Sequence, residues 1–192
     1  MIKTLILGGI FGGLAAFAWS TFSWEVLGWH EAGMVRFDNE DEVSAMIASQ
    51  VTNDGMYILP SIPPTEGMSA EKKKAIGDAV KAKMQTGPIV VAAVRRNGFG
   101  SFGKAIAIQL LGLMGSALLL TWMLQQTSGL SYARRVTFLG ITGLAASVII
   151  DLPNWNWFGF SGVYTAVNTV DTMITWLLAG LVIAKVVKPR TS

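Results

Sequence analysis

One carboxylate stands where an apolar run should exclude it. Asp171 lies inside the hydrophobic stretch 162–187, and a charge near the centre of a membrane span costs about 2.5–3.5 kcal/mol on insertion scales. Thr165, Asn168, Asp171 with Thr172, and Thr175 recur at steps of three or four, which places them on one helix face. At about 1.5 Å per residue, Asp171 falls roughly 14 Å below Gly162, near the middle of a hydrocarbon core about 30 Å thick. Lipid cannot solvate such a stripe, so it must turn toward other helices. Three chemistries fit it. Asp171 is held by hydrogen bonds to Gln109, Asn168 or the threonines; or it belongs to a proton or cation pathway with Asp151 as an outer relay; or it pairs with a group on another protein. A pathway needs a chain of titratable groups. The remaining candidates, Glu25, His30 and Asp151, all fall near the same face of the membrane, and no span carries an interior Lys, Arg or His.

His30 is the one histidine, and cysteine is absent. That excludes disulfides, thiolate chemistry and a multi-histidine metal or haem site within this chain. Glu25 and His30 are close enough in sequence to form an acid–imidazole pair or to take up a proton. Any Ser-His-Asp set would have to use this single ring. No catalytic constellation emerges, so the chain reads as a protein without enzymatic activity, metal or cofactor.

The elements that must position these groups follow from composition. The chain has 192 residues, 52% hydrophobic and 14% charged, against about 25% charged in soluble domains; mean hydropathy is +0.48. The expected architecture is mainly α, a four-transmembrane-helix bundle with a small α+β extracytoplasmic cap between helices 1 and 2. The spans are 1–22, 104–125, 136–152 and 162–187, each near the 17–25 residues a crossing needs. The third should stop before Pro153, whose ring lacks the N–H a helix requires. Residues 23–103 form the cap, 126–135 an inner turn, 153–161 an outer aromatic loop and 188–192 a tail.

Charge sets the orientation. Lys3, Arg134, Arg135, Lys185, Lys188 and Arg190 fall on one side of the four-span path without an acid among them. Positive charge stays cytoplasmic, so both termini are expected inside a bacterial inner membrane, with 23–103 and 153–161 outside and Lys104 at the outer edge. The start Met1-Ile2-Lys3 and the small-residue run Ala16-Phe17-Ala18 resemble a signal peptide, but the segment is taken here as an uncleaved anchor. The net charge of +3 and pI of about 9.3 do not indicate nucleic acid, because the lysines at 72–74 read as the solvated face of a helix.

Gly8, Gly9, Gly12 and Gly13 give Gly-xxx-Gly twice in adjacent register, spacing that lets helix backbones approach closely. They serve packing within the chain or contact with a second protein. Gly112 with Ser116 and Gly143 with Ser147 repeat the pattern. Trp24, Trp29, Trp155, Trp157, Phe158 and Phe160, like Trp19, suit the membrane–water interface. Within 23–103, Asn39 before three acids reads as a helix cap, 55–60 and 88–94 as short strands, and 69–84 as an amphipathic helix. Two strands and two helices make a weak core.

Trp29-His30-Glu31, residues 37–43, 55–60, 153–160, Tyr164-Thr165, Asp171 and Trp176 together resemble a group of bacterial four-span membrane proteins. The resemblance implies the four-span fold and carries no assigned activity or catalytic residue. The function expected is a non-catalytic accessory or structural subunit of a membrane assembly or homo-oligomer, its partners the bilayer and a membrane protein or a second copy. The alternatives are a small proton- or cation-coupled transport module using Asp171, and a lipid- or quinone-binding protein with a pocket beneath the aromatic loop.

Overall fold

A computed structural model describes residues 2–188; Arg190, counted above among the inner bases, lies outside them. The chain is mainly helical, and four helices among the described residues are long and apolar enough to cross a membrane, the pattern of a multi-pass membrane protein. They are α1 (Ile2–Glu25), α4 (Phe102–Gln125), α5 (Tyr132–Phe158) and α6 (Gly162–Val186). Between α1 and α4 come α2 (Glu40–Gln50), β1 (Gly55–Leu59), α3 (Ala70–Thr86) and β2 (Val90–Val94). Twenty-four residues of helix measure about 36 Å, enough for a core about 30 Å thick. Serine caps start two of the long helices: Ser101 accepts from the Lys104 N–H, and Ser161 from that of Tyr164. Each satisfies a donor the first turn would leave orphaned.

The described chain divides into two compact units, one of the four long helices with the segment through Val35, the other of Arg36–Gly100 with Asn156–Gly159. In the first, glycines decide how closely the helices lie. A Cβ at Gly13 would sit 2.5 Å from the Met114 Cα, at Gly9 3.0 Å from the Leu118 Cβ, and at Gly8 2.4 Å from the Thr121 Oγ1. Gly12 faces Ile183 of α6 at 2.6 Å. The glycine seam of α1 is therefore filled by this chain's own α4 and α6. Gly140 and Gly143 do the same between α5 and α6, against Leu177 and Trp176. Gly112 has open space where a Cβ would go, so the small-residue pair it forms with Ser116 is not a helix contact. Ala16, Ala117, Leu120, Leu124, Leu139 and Ile183 make the buried core at the seam.

The third span differs from its expected end. Pro153 lies inside α5, which continues to Phe158; residues 153–158 are helix, and the break comes at Gly159, with φ of 73°. The Phe160 N–H then reaches back to the Asn154 carbonyl at 3.4 Å. Proline removes one intrahelical bond. The other backbone groups of these turns stay paired within the helix, so continuing it costs less than opening it.

Contacts between helix ends bring the bases together. Gly8 beside Thr121 sets the start of α1 against the end of α4. The buried Arg135 donates to the Val187 carbonyl, and the Tyr132 hydroxyl to that of Leu181 at 2.8 Å. Lys3, Arg134, Arg135, Lys185 and Lys188 thus share one end of the bundle.

In the second unit, β1 and β2 pair antiparallel, Gly55 opposite Val94 and Leu59 opposite Val90. Asp54 accepts from the Arg96 N–H at 2.9 Å, and the Arg96 guanidinium donates to the Thr52 carbonyl at 3.1 Å. Asn39 caps α2 and Ser69 caps α3. Val51 and Val80 are this unit's buried core hydrophobics.

Candidate functional site

The site is built by a turn that folds the end of α1 back onto α6. Gly28, at φ of 64°, takes the left-handed conformation that costs glycine nothing. The chain then makes a single 3-10 turn, Glu31–Gly33. Gly33 meets the first turn of α6 so closely that a Cβ would lie 2.6 Å from the Tyr164 Cα, and Ser161 Oγ donates to the Gly33 carbonyl at 3.0 Å. This pins the turn and points His30 inward. Gly33→Ala is expected to lift the turn from α6 and expose His30, since the collision is with backbone. Histidine-selective diethylpyrocarbonate labelling should rise several-fold over the parent; unchanged labelling would refute the pinning.

Trp19 and Ser23 are four residues apart on α1 and so share a face. Across from them on α6 is Asp171. Its Oδ1 accepts from Trp19 Nε1–H and from Ser23 Oγ–H, both at 2.7 Å. Ser23 Oγ lies 3.0 Å from His30 Nε2 and accepts from Trp29 Nε1–H at 2.9 Å. His30 Nε2 is 3.6 Å from Asp171 Oδ2. Trp24 stacks on the imidazole at 3.9 Å and 4°, and Trp29 meets its edge at 5.7 Å. Ser23, His30 and Asp171 are 0%, 2% and 8% exposed.

A proton count assigns the roles. A serine hydroxyl has one donor and two acceptor sites. Ser23 spends the donor on Asp171 and the acceptors on Trp29 and on His30, which places the ring proton on Nε2. His30 Nδ1 is buried without a partner. Ser23, His30 and Asp171 therefore meet without forming a nucleophilic relay. In such a relay the serine proton goes to the imidazole and the carboxylate holds the opposite ring nitrogen. Here serine and carboxylate face the same nitrogen, and the hydroxyl is sealed from solvent.

Beside the network is a pocket of about 290 Å³ that Asp171 lines together with Asn168, Thr172 and Thr175 of α6, Gln109 of α4 and Trp24 of α1. The stripe on α6 thus faces one polar chamber. Asn168 Nδ2 donates to the Tyr164 carbonyl at 2.9 Å, and the Thr175 hydroxyl to the Asp171 carbonyl at 2.8 Å. Thr165 is apart from that lining, its hydroxyl buried with no partner.

The other expected site residues are placed as follows. The partners of Asp171 are Trp19, Ser23 and His30 rather than the Gln109 or Asn168 side chains. Glu25 is solvent-exposed, and His30 pairs with Asp171 and Ser23 instead of with it. Asp151 is bonded to Ser147 one turn back on α5, whose hydroxyl is 3.2 Å from that of Thr169. No hydrogen bond among the described residues joins Asp151 to the Asp171 network. Trp24 and Trp29, expected only as interfacial anchors, clamp the imidazole; Trp155, Trp157 and Phe158 are exposed on the last turn of α5, and Phe160 packs edge-on against Tyr164 at 5.5 Å. Ser23 was the residue sequence reasoning missed. Its i, i+4 spacing from Trp19 was the available signal. Among the described residues no group of three or more His, Asp or Glu could hold a metal ion.

No protein-family model, curated protein or solved structure matches the chain. The site's chemistry is therefore read from its geometry.

Proposed function

We propose that this is a non-catalytic protein of the bacterial inner membrane, an accessory or structural subunit of a membrane assembly or homo-oligomer. Both termini face the cytoplasm and residues 36–100 face outward. The observation that carries this reading is the surface of the second unit. Its core is two valines, while Met56 and Ile62 are 71% and 67% exposed and Ile58, Leu59 and Val90 are also open. A two-stranded unit with so much apolar surface is marginal in water by itself, and a neighbouring protein is the natural cover. The orientation is supported by the bases gathered at one end of the bundle. The Asp171 network supports a structural role: its protons are committed to tying α1 and the His30 turn to α6.

A proton or cation route through Asp171 is the weaker alternative. Toward the basic end the helices are closed by Leu124, Leu139 and Ile183, each fully buried, and among the described residues no buried Asp, Glu, His or Lys continues the path. The glycine seam of α1 lends the assembly reading no support, because this chain fills it.

The absence of cysteine makes the test direct. Ile62→Cys in intact cells, treated with a membrane-impermeant maleimide that carries a photoactivated diazirine and then irradiated, is expected to give a cross-linked species larger than the monomer. Twice the monomer mass would identify a second copy, and any other mass a partner. Reaction only after the membrane is permeabilised would overturn the orientation. Ready modification with monomer alone would overturn the assembly.

A further inference from the structure

The polar chamber has a more apolar neighbour. A second pocket, of about 270 Å³, is lined by Ser116, Leu119 and Met123 of α4, Thr142 and Ala146 of α5, and Trp176 of α6. Trp176 lines both pockets. Along α4 the two together run from Gln109 to Met123, about 21 Å at 1.5 Å per residue. One end offers a carboxylate, amides and hydroxyls; the other offers aliphatic side chains. This is the polarity profile of a membrane amphiphile.

We propose that these two pockets along α4, which share Trp176, bind an amine-bearing membrane lipid, its headgroup in the Asp171 chamber and an acyl chain in the apolar cleft. Charge selects the headgroup. Asp171 is the one charged residue lining the chamber, and no Lys or Arg among the described residues lines it. Asp171 Oδ1 carries both hydrogen bonds from α1, leaving Oδ2, which His30 approaches only to 3.6 Å. The indole of Trp176 adds a ring face to which a primary or quaternary ammonium is attracted. A phosphate can be met by the Gln109 amide and the Thr172 hydroxyl. An anionic headgroup would instead face the Asp171 carboxylate with no Lys or Arg among the described lining residues to offset it, a contact that disfavours it. The apolar cleft itself runs along α4 from Ser116 to Met123, about 10 Å at 1.5 Å per residue, and holds the upper part of one acyl chain.

The test is native mass spectrometry of the purified full chain after exchange into detergent with equal amounts of an ethanolamine phospholipid and a phosphatidylglycerol of the same chains. The wild type is expected to retain the ethanolamine lipid in about tenfold preference, the scale of one partly desolvated cation–π contact. Gln109→Lys, on an exposed face of α4, should abolish or invert that preference while retaining lipid. Ala146→Trp, also exposed, should plug the cleft and lose both lipids. Equal retention of the two lipids by the wild type, or wild-type retention in both variants, would overturn the proposal. None of these readouts depends on whether residues 36–100 meet a partner, so failure of the assembly reading would leave them intact.

Discussion

Asp171→Ala is expected to lower the stability of the helical unit by about 2–6 kcal/mol, the cost of stranding two hydrogen-bond donors inside the bundle. The loss has a structural basis. Trp19 Nε1–H and Ser23 Oγ–H would both be left without their acceptor, at about 1–3 kcal/mol for each stranded donor. The Ser23 hydroxyl could not turn to His30 instead, because Nε2 already presents an N–H to it, and its reorientation would disturb the acceptor that Trp29 uses. Asp171→Asn should fall between the two, because its amide oxygen can still accept from α1 while its NH₂ faces a ring N–H. Thermal unfolding in detergent, followed by tryptophan fluorescence, is the measurement. Trp19, Trp24 and Trp29 surround the site, so loss of the network should also shift emission to the red before the main transition. If Asp171→Ala melts with the parent, the clasp carries no weight and the structural role fails with it.

Gly13→Val is the second substitution with a large expected effect, about 3 kcal/mol, at the upper part of the range for overpacking a tight contact. A Cβ there would stand 2.5 Å from the Met114 Cα and 2.9 Å from its backbone nitrogen. Neither atom can swing aside as a side chain would, so α1 and α4 must separate. That movement carries Trp19 and Ser23 away from α6, and the Asp171 network should weaken in the same variant. Gly115→Ala is the matched control, because a Cβ at that position meets nothing within 4 Å; it should be neutral or gain up to about 1 kcal/mol from helix propensity. Comparable melting temperatures for Gly13→Val and Gly115→Ala would show that the α1–α4 contact is not set by the missing side chain.

The two expected effects meet at the same place for a reason. Glycine contacts fix how α1 lies between α4 and α6, and that placement decides which donors on α1 reach the acid. The lipid site has the same origin. Gly143 lets Trp176 lie against α5, and Trp176 in turn lines both the polar chamber and the apolar cleft.

Much of this was legible in one dimension. Hydropathy and charge are sums over neighbouring residues, so the four crossings, the gathering of bases at one end and the anomaly of Asp171 all stand in the order of the residues. The helix starts at Asn39 and Ser69 were legible too, since a cap acts three residues away. Pro153 was misjudged because the missing N–H removes only one bond from a helix whose other backbone groups stay paired through Phe158. The partners of Asp171 could not be read. Trp19 and Ser23 are 152 and 148 residues distant in sequence, and a tryptophan near a helix end fits an interfacial anchor as well as a buried donor. Which of these it becomes depends on the rotation of α1 about its axis. That rotation is set by Gly8, Gly9, Gly12 and Gly13 packing on two other helices. The amino-acid order alone determined that an acid must be hidden; only the three-dimensional packing, acting through the rotation of one helix, decided that Trp19, Ser23 and His30 hide it.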